Sequence, residues 1–161
     1  MAESVKDKVD VIGVGCTPFG EQWDKSVSDL LVDATHEALE DAGVELKDID
    51  AAWVGHWCEP SGMTGLGLSG TLGLQYKTVT RIENACATGS DCLRNAAYSV
   101  AAGVYDIVLA LGFDKLKDTG WAGLGDVPFP GTGRGLIGSQ GASGPSMFAL
   151  LATAYFAKYK L

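Results

Sequence analysis

The apolar positions of the chain predict short buried strands that alternate with helices. Residues 9–15 (VDVIGVG) form a β-branched run closed by glycine, which predicts a strand buried on both faces, as in a parallel sheet. Residues 49–57, 78–83 and 105–112 predict three further strands. Alternation of strands and helices predicts a mostly parallel sheet with right-handed crossovers, so the expected fold class is a layered α/β domain.

Helical patterns fill the intervals between these strands. Residues 26–29 (SVSD) form a capping box, and the apolar residues that follow recur on one helical face until Gly43, which predicts an amphipathic helix. Residues 61–74 predict a loop that leads into a buried helix. Residues 86–102 predict a helix rich in Ala and Ser, packed on several sides because it has no wide polar face, and residues 145–158 predict a last helix.

Two glycine patterns imitate phosphate-binding loops. Residues 13–15 (GVG) lack the third glycine of a dinucleotide fingerprint, and residues 131–135 (GTGRG) lack the Gly-Lys-Ser/Thr ending of a P-loop. The second pattern lies in an irregular stretch at residues 113–144, and a stretch of that length is usually a functional loop or a covering lid. A mobile glycine loop is therefore expected there.

Composition and charge exclude several classes of function. The 161 residues fit one domain or a piece of a larger one. A net charge of −8 repels phosphate backbones and anionic lipid surfaces, so neither a nucleic-acid nor a membrane partner is expected. The sequence has no apolar run of about 18 residues and no secretory signal, which predicts a cytoplasmic protein with reduced thiols.

Cys86 is the candidate nucleophile. It follows a predicted strand and opens a predicted helix, where backbone N–H groups and the positive end of the helix dipole favour a thiolate. Small neighbours would let a substrate thioester approach, and the Cys86 amide could donate to an oxyanion. The alternative is a core cysteine, the usual fate of a free thiol. Three other thiols are predicted to be structural: Cys92, rotated off the Cys86 face, and Cys16 and Cys58, at strand ends.

The two histidines provide no obvious partner for Cys86. His56 and Cys58 flank Trp57 at a strand end, but two ligands without a second pair fall short of a zinc site, so no metal is expected. His36 lies on the polar side of its predicted helix and is expected to be solvated. Neither histidine is placed near Cys86 by local sequence.

The run ENACATGS at residues 83–90 resembles the thiolase superfamily, specifically the group related to sterol carrier protein 2 thiolases. The segments VIGVGCTPFG, EALEDAGV, AAWVGHW and YDIVLALGFDKL also resemble that family, in the same order. The resemblance implies two similar βαβαβαββ halves, with a loop domain inserted in the first. Residues 1–113 would then be the N-terminal thiolase-like α/β domain, and residues 114–161 an incomplete part of the loop domain.

A family member is about twice this length, and its second half brings the histidine that activates the nucleophile, a second catalytic cysteine and a loop that completes the oxyanion hole. The motifs that carry these groups do not occur here, so a missing C-terminal half or a partner chain is implied. A fragment is the favoured account, because the helical pattern still runs at Leu161. The isolated chain is expected to lack turnover.

The resemblance further implies an acyl-CoA C-acyltransferase. Cys86 would attack an acyl-CoA, hold the acyl group as a thioester and release it to a second acyl-CoA or to coenzyme A, with no tightly bound cofactor. A homo-oligomer, dimer or tetramer, is implied, with residues 78–103 near its two-fold interface. Two alternatives stay open: a thiolase-like condensing or retro-aldol enzyme acting on a CoA thioester, and a non-catalytic thiolase-fold subunit.

Overall fold

The computed structural model describes residues 4–57, 64–115 and 144–161. The chain divides into two compact units, Met1–Lys115 and Leu116–Leu161. Cys58 and the glycine-rich residues 131–135 lie outside the described residues, as does most of the stretch predicted to be irregular.

A three-stranded parallel sheet lies at the centre of the first unit, with the strand at residues 51–55 between those at residues 78–82 and 108–112. Its strands are β1 (Ala51–Gly55), β2 (Thr78–Ile82) and β3 (Val108–Gly112), which confirms three of the four predicted strands with slightly shorter bounds. The register pairs Gly55 with Ile82 on one side and with Gly112 on the other. The carboxyl ends of all three strands therefore lie along one edge.

Helix α1 (Val27–Ala42) has the ends that the sequence predicts. The Ser26 hydroxyl accepts from the Asp29 N–H, and the Asp29 carboxylate accepts from the Ser26 N–H, which completes the capping box. Gly43 closes the helix with a left-handed φ of 68°. A short 3-10 helix follows at Leu46–Asp48.

Helices α2 (Gly65–Leu72) and α3 (Thr88–Ala101) complete the first unit in three layers. On one face of β1, Ala52 and Val54 join a core with leucines from α1 and α2: Leu31, Leu39, Leu68 and Leu72. The other face carries α3, which packs on β1 and β3. Apolar burial on both faces of β1 explains why its sequence has no alternation.

The strand predicted for residues 9–15 is absent from the described sheet, so that prediction is wrong. The segment has no regular secondary structure and lies against α1. A Cβ added at Gly13 would lie 2.5 Å from the Ala38 carbonyl oxygen, and one added at Gly15 would lie 2.3 Å from the Ala34 carbonyl oxygen. The N–H groups of Val14 and Cys16 donate to carboxylates of α1 instead of to a neighbouring strand. Side-chain acceptors have replaced the backbone partner that a strand needs.

Among the described residues, helix α3 packs on the sheet and on the adjoining 3-10 turn but not on several sides, contrary to the prediction. Thr88, Cys92 and Ala96 are buried against the sheet, whereas Leu93 and Tyr98 are about half exposed, at 55% and 53%. The small residues of α3 allow a close approach to the sheet on one side and do not require protein on the others.

The second unit contains helix α4 (Gly144–Tyr159), which confirms the helix predicted at residues 145–158. The helical pattern was expected to continue through Leu161, but the helix ends at Tyr159. Lys160 takes a left-handed φ of 55°, and the Leu161 N–H donates to the Phe156 carbonyl. Within the described residues, none of the helices combines the length and the apolar character that a membrane crossing requires.

The contact between β1 and α3 predicts the effect of one added methyl group. In Gly55→Ala the new Cβ would lie 2.4 Å from Thr88 Cγ2 and 2.7 Å from Cys92 Sγ, so a loss of about 1–3 kcal/mol in the free energy of unfolding is expected. Gly70→Ala is the matched control, because nothing lies within 4 Å of its added Cβ and alanine favours the helix by about 0.5–1 kcal/mol. Urea denaturation measures the free energy of unfolding of both variants. A Gly55→Ala variant as stable as Gly70→Ala would contradict the close packing of Gly55 on α3.

The Asp50 carboxylate predicts a pH-dependent stability. It accepts hydrogen bonds from the N–H groups of Ile107, at 3.1 Å, and Asp106, at 2.9 Å, and these bonds hold its pKa below the ordinary value. A lowered folded-state pKa gives stability that is present above the unfolded pKa and is lost as the pH falls through the folded one. We expect Asp50→Asn to lower Tm at pH 7 by roughly 3 °C.

The deficit of Asp50→Asn should begin to shrink as the pH falls below about 4, where Asp50 of the unfolded wild-type chain takes up a proton, and it should vanish only below the lowered pKa of the folded state. Asp10→Asn is the control, since it makes the same charge change at an exposed residue outside the sheet. Thermal unfolding followed from pH 3 to 7 gives the comparison. A deficit that is constant across this range would show that the charge of Asp50 contributes nothing.

Candidate active site at the carboxyl edge of the sheet

The segments that follow the three strands meet at the carboxyl edge of the sheet. His56 follows β1, the segment containing Cys86 follows β2, and Phe113 follows β3. The Phe113 N–H donates to the Gly55 carbonyl at 2.9 Å, and the rings of His56 and Phe113 lie 4.9 Å apart. Open α/β sheets bind ligands at this edge. It is therefore the candidate active site.

Cys86 lies in a single turn of 3-10 helix, Ala85–Ala87, between the end of β2 and the start of α3. The helix was predicted to begin at Cys86, and α3 itself begins two residues later, at Thr88. The side chain of Cys86 is exposed. Its sulfur is therefore not sealed in the core, which was the alternative that the sequence left open.

Hydrogen bonds hold the Cys86 turn, residues 83–88, from both sides. The Ala85 N–H donates to the Glu83 carboxylate at 2.9 Å, and the Ala87 N–H donates to the Asn84 carbonyl at 2.9 Å. The Thr88 hydroxyl accepts from the Asn84 N–H at 2.8 Å and donates to the Ala85 carbonyl at 2.7 Å. The residues on either side of Cys86 are thus fixed by short local bonds.

The turn contains a strained residue directly before the cysteine. Ala85 has a φ of 45°, in the left-handed region that costs a residue with a Cβ about 1–2 kcal/mol. Such strain persists only where surrounding contacts determine the conformation. The contacts in this case are the two bonds of the Thr88 hydroxyl and the bond of the Ala85 N–H to Glu83.

A second set of polar contacts ties the turn to the first two turns of α3. The Asn84 side-chain amide donates to the Asp91 carboxylate at 2.9 Å, and Arg94 forms an ion pair with the same carboxylate. Asp91 in the first turn of α3 is also placed favourably with respect to the helix dipole.

The other described thiols differ from Cys86 in their surroundings. Cys92 is 1% exposed, and burial, with a smaller contribution from the Asp91 carboxylate, raises the pKa of its thiol to about 11. Its buried position agrees with the predicted structural role. Cys16 is exposed and follows a segment that is not a strand, so its predicted place at a strand end is wrong.

His56 is 1% exposed, and its Nε2 accepts a hydrogen bond from Arg81 Nε at 2.8 Å. That nitrogen is therefore engaged by a cation rather than available to a metal. Among the described residues, no three His, Cys, Asp or Glu side chains lie where they could hold a metal ion, and Cys58 lies outside those residues. His36 is exposed on α1, as predicted.

Sequence reasoning missed Thr88 and Asp91 as partners of Asn84 in the Cys86 turn, and it missed the bond between Arg81 and His56. Helical spacing gives no signal for these contacts, because Asn84 and Ala85 precede the helix and take non-helical backbone angles. The bond from β2 to the end of β1 depends on strand pairing, which local sequence does not give.

Known proteins resemble this chain along most of its length. Residues 9–122 match the family described as Thiolase, N-terminal domain. An acetyl-CoA acetyltransferase from Methanothermobacter thermautotrophicus is 36% identical over 157 residues, which are 94% of this chain and 40% of that protein. Sterol carrier protein 2 from Homo sapiens is 34% identical over 113 residues, which are 68% of this chain and 21% of that protein.

A solved structure agrees with these sequence matches. The acetyl-CoA acetyltransferase from Syntrophomonas wolfei matches 60% of this chain and 26% of its own, with a TM-score of 0.51 and 26% identity. This likeness confirms the predicted thiolase-like α/β fold. The chain spans 40% or less of the length of these relatives. Because the family match covers residues 9–122, well over half of the sequence, the chain belongs to the thiolase family.

Proposed function

We propose that the protein containing this chain is an acyl-CoA C-acyltransferase and that Cys86 is its nucleophile. The observation that carries the proposal is an exposed cysteine on a braced turn between β2 and α3, at the carboxyl edge of the sheet. Membership of the thiolase family and 34–36% identity to proteins named acetyl-CoA acetyltransferase support this choice of reaction.

The proposed reaction has two steps. The Cys86 thiolate attacks the carbonyl carbon of an acyl-CoA, the C–S bond to coenzyme A breaks, and the CoA thiolate leaves and takes up a proton. The carbanion formed when a second acyl-CoA loses a proton then attacks this thioester, the C–S bond to Cys86 breaks, and the Cys86 thiolate leaves. In the reverse direction Cys86 takes the acyl group from the condensed product, whose C–C bond breaks to release an acyl-CoA carbanion that takes up a proton, and coenzyme A then accepts the acyl group. The backbone N–H of Cys86 is the proposed donor to the oxyanion of each tetrahedral intermediate.

The groups that move the protons are proposed to lie outside this chain. Because the chain spans 40% of the length of the acetyltransferases that it matches, a C-terminal half or a partner chain has room to supply a base and a second acid–base group. A complete enzyme would be a cytoplasmic homo-oligomer that uses coenzyme A thioesters as substrates and holds no tightly bound cofactor. Residues 114–161 would belong to its loop domain.

Acylation of the complete protein tests the nucleophile. After incubation with acetyl-CoA and rapid quenching, mass spectrometry of peptides should find the acetyl group on Cys86. We expect Cys86→Ala to abolish both the label and acyl transfer, with a loss of at least about 10³-fold, because no other exposed thiol lies on the turn.

Cys16→Ala is the matched control, since it removes an exposed thiol from a different part of the fold and should leave acylation unchanged. Label on Cys92 in place of Cys86 would overturn the assignment. Full activity of Cys86→Ala would instead favour a non-catalytic thiolase-fold subunit. Cleavage of a β-hydroxyacyl-CoA without acyl transfer would favour the retro-aldol alternative.

The raised pKa of Cys92 predicts the pattern of thiol alkylation. At pH 8 a thiol with a pKa of about 11 is ionised in roughly one molecule per thousand, and Cys92 is also buried. Iodoacetamide at pH 8 should therefore label Cys16 and Cys86 in the folded protein and spare Cys92. In urea Cys92 should become reactive, and equal labelling of Cys92 and Cys16 before unfolding would contradict its burial.

A further inference from the structure

The side chain of Thr88 joins the Cys86 turn to the sheet. Thr88 is 6% exposed and lies two residues after Cys86, at the start of α3. Its methyl group faces β1 so closely that a Cβ on Gly55 would lie 2.4 Å from it. Its hydroxyl points into the turn, where it accepts from the Asn84 N–H and donates to the Ala85 carbonyl.

The two hydrogen bonds of this hydroxyl bracket the strained residue. One joins the amide that precedes Ala85 in the turn, at 2.8 Å, and the other joins the carbonyl of Ala85 itself, at 2.7 Å. A left-handed φ of 45° at an alanine is held only while such contacts last. Cys86 is the next residue, so the direction of its Cα–Cβ bond follows from the conformation of Ala85.

We propose that Thr88 is the positioning residue of the proposed acyl transfer: its hydroxyl holds Ala85 in the left-handed conformation and thereby sets the direction of the Cys86 side chain. Thr88 does not touch the reacting atoms, and it acts through Cys86. The catalytic part of this inference rests on the function proposed above. The structural part, a turn held by one hydroxyl, is independent of the reaction.

Two substitutions separate the roles of the hydroxyl and the methyl group. Thr88→Val keeps the branched shape that packs near Gly55 and removes the hydroxyl, so the Asn84 N–H loses its acceptor. Thr88→Ser keeps the hydroxyl and removes the methyl group. If the hydroxyl holds the turn, Thr88→Val is the more damaging change.

Thr35 supplies a matched control on another helix. It is also buried, at 3% exposure, and its hydroxyl donates to the Leu31 carbonyl within α1 at 2.7 Å. Thr35→Val therefore removes a buried hydroxyl and a hydrogen bond of similar length without touching the Cys86 turn. It separates a general loss of stability from a specific effect on Cys86.

The experiment measures two quantities in the complete protein: the steady-state kinetics of acyl transfer, and the rate of alkylation of Cys86 relative to Cys16 by iodoacetamide. For Thr88→Val we expect kcat to fall about 10- to 100-fold with KM changed less than about threefold, because a displaced nucleophile weakens the chemical step. The ratio of alkylation rates should fall at least about threefold. Thr88→Ser should stay within about threefold of wild type in kcat.

A Thr88→Val variant with the kcat and the alkylation ratio of wild type overturns the proposal, and so does Thr35→Val if it lowers the ratio equally. If Thr88→Val does not fold, the comparison is made between Ala85→Gly and the double variant Ala85→Gly/Thr88→Val, in which glycine accepts the left-handed conformation freely. Equal ratios support the proposal, because glycine adopts the left-handed conformation without the Thr88 hydroxyl. A lower ratio in the double variant overturns it, because Thr88 would then act by a route other than holding residue 85.

Failure of the proposed function gives a different result. If acyl transfer persists in Cys86→Ala, Cys86 is not the nucleophile. The alkylation ratio in Thr88→Val still decides whether Thr88 positions the turn. If the alkylation ratio is normal in Thr88→Val and acyl transfer is abolished in Cys86→Ala, only the positioning role of Thr88 is disproved. The two inferences therefore stand or fall by separate measurements.

Discussion

The close contact between Gly55 at the end of β1 and the first turns of α3 is the constraint on which the site depends. A methyl group at position 55 would lie 2.4 Å from Thr88 and 2.7 Å from Cys92, so the absence of a side chain sets the distance between helix and sheet. Gly55 is also paired with Ile82 and Gly112 at the ends of the flanking strands. The position of the Cys86 turn follows, because that turn connects β2 with α3.

The same contact explains why a polar side chain is buried at Thr88. A buried hydroxyl without partners would be costly, but this one accepts from one backbone group of the turn and donates to another. Thr35 is equally buried and bonds only within its own helix. The difference lies in what the hydroxyl restrains: a regular helix at Thr35, and the left-handed residue before Cys86 at Thr88.

Local signals in the sequence were sufficient for much of this fold. The capping box at Ser26 and the glycine at Gly43 predicted both ends of α1, and the apolar runs predicted all three strands of the sheet. The position of Cys86 between strand and helix was also predictable. The bonds that brace it were not, because alanine disfavours the left-handed conformation of Ala85, and the contact of Gly55 with Thr88 joins residues far apart in sequence.

Residues 9–15 show that an apolar run alone does not specify a strand. Such a run predicts extended backbone, but a strand also needs a neighbour that offers N–H and C=O groups. In this chain Asp41 and Glu37 of α1 accept the N–H groups of Val14 and Cys16, so two backbone donors are satisfied without a sheet. The glycines that resemble a dinucleotide fingerprint serve the same contact. A Cβ added at either glycine would lie 2.3–2.5 Å from a backbone carbonyl oxygen of α1. The glycine pattern is therefore explained by close packing on the backbone of α1.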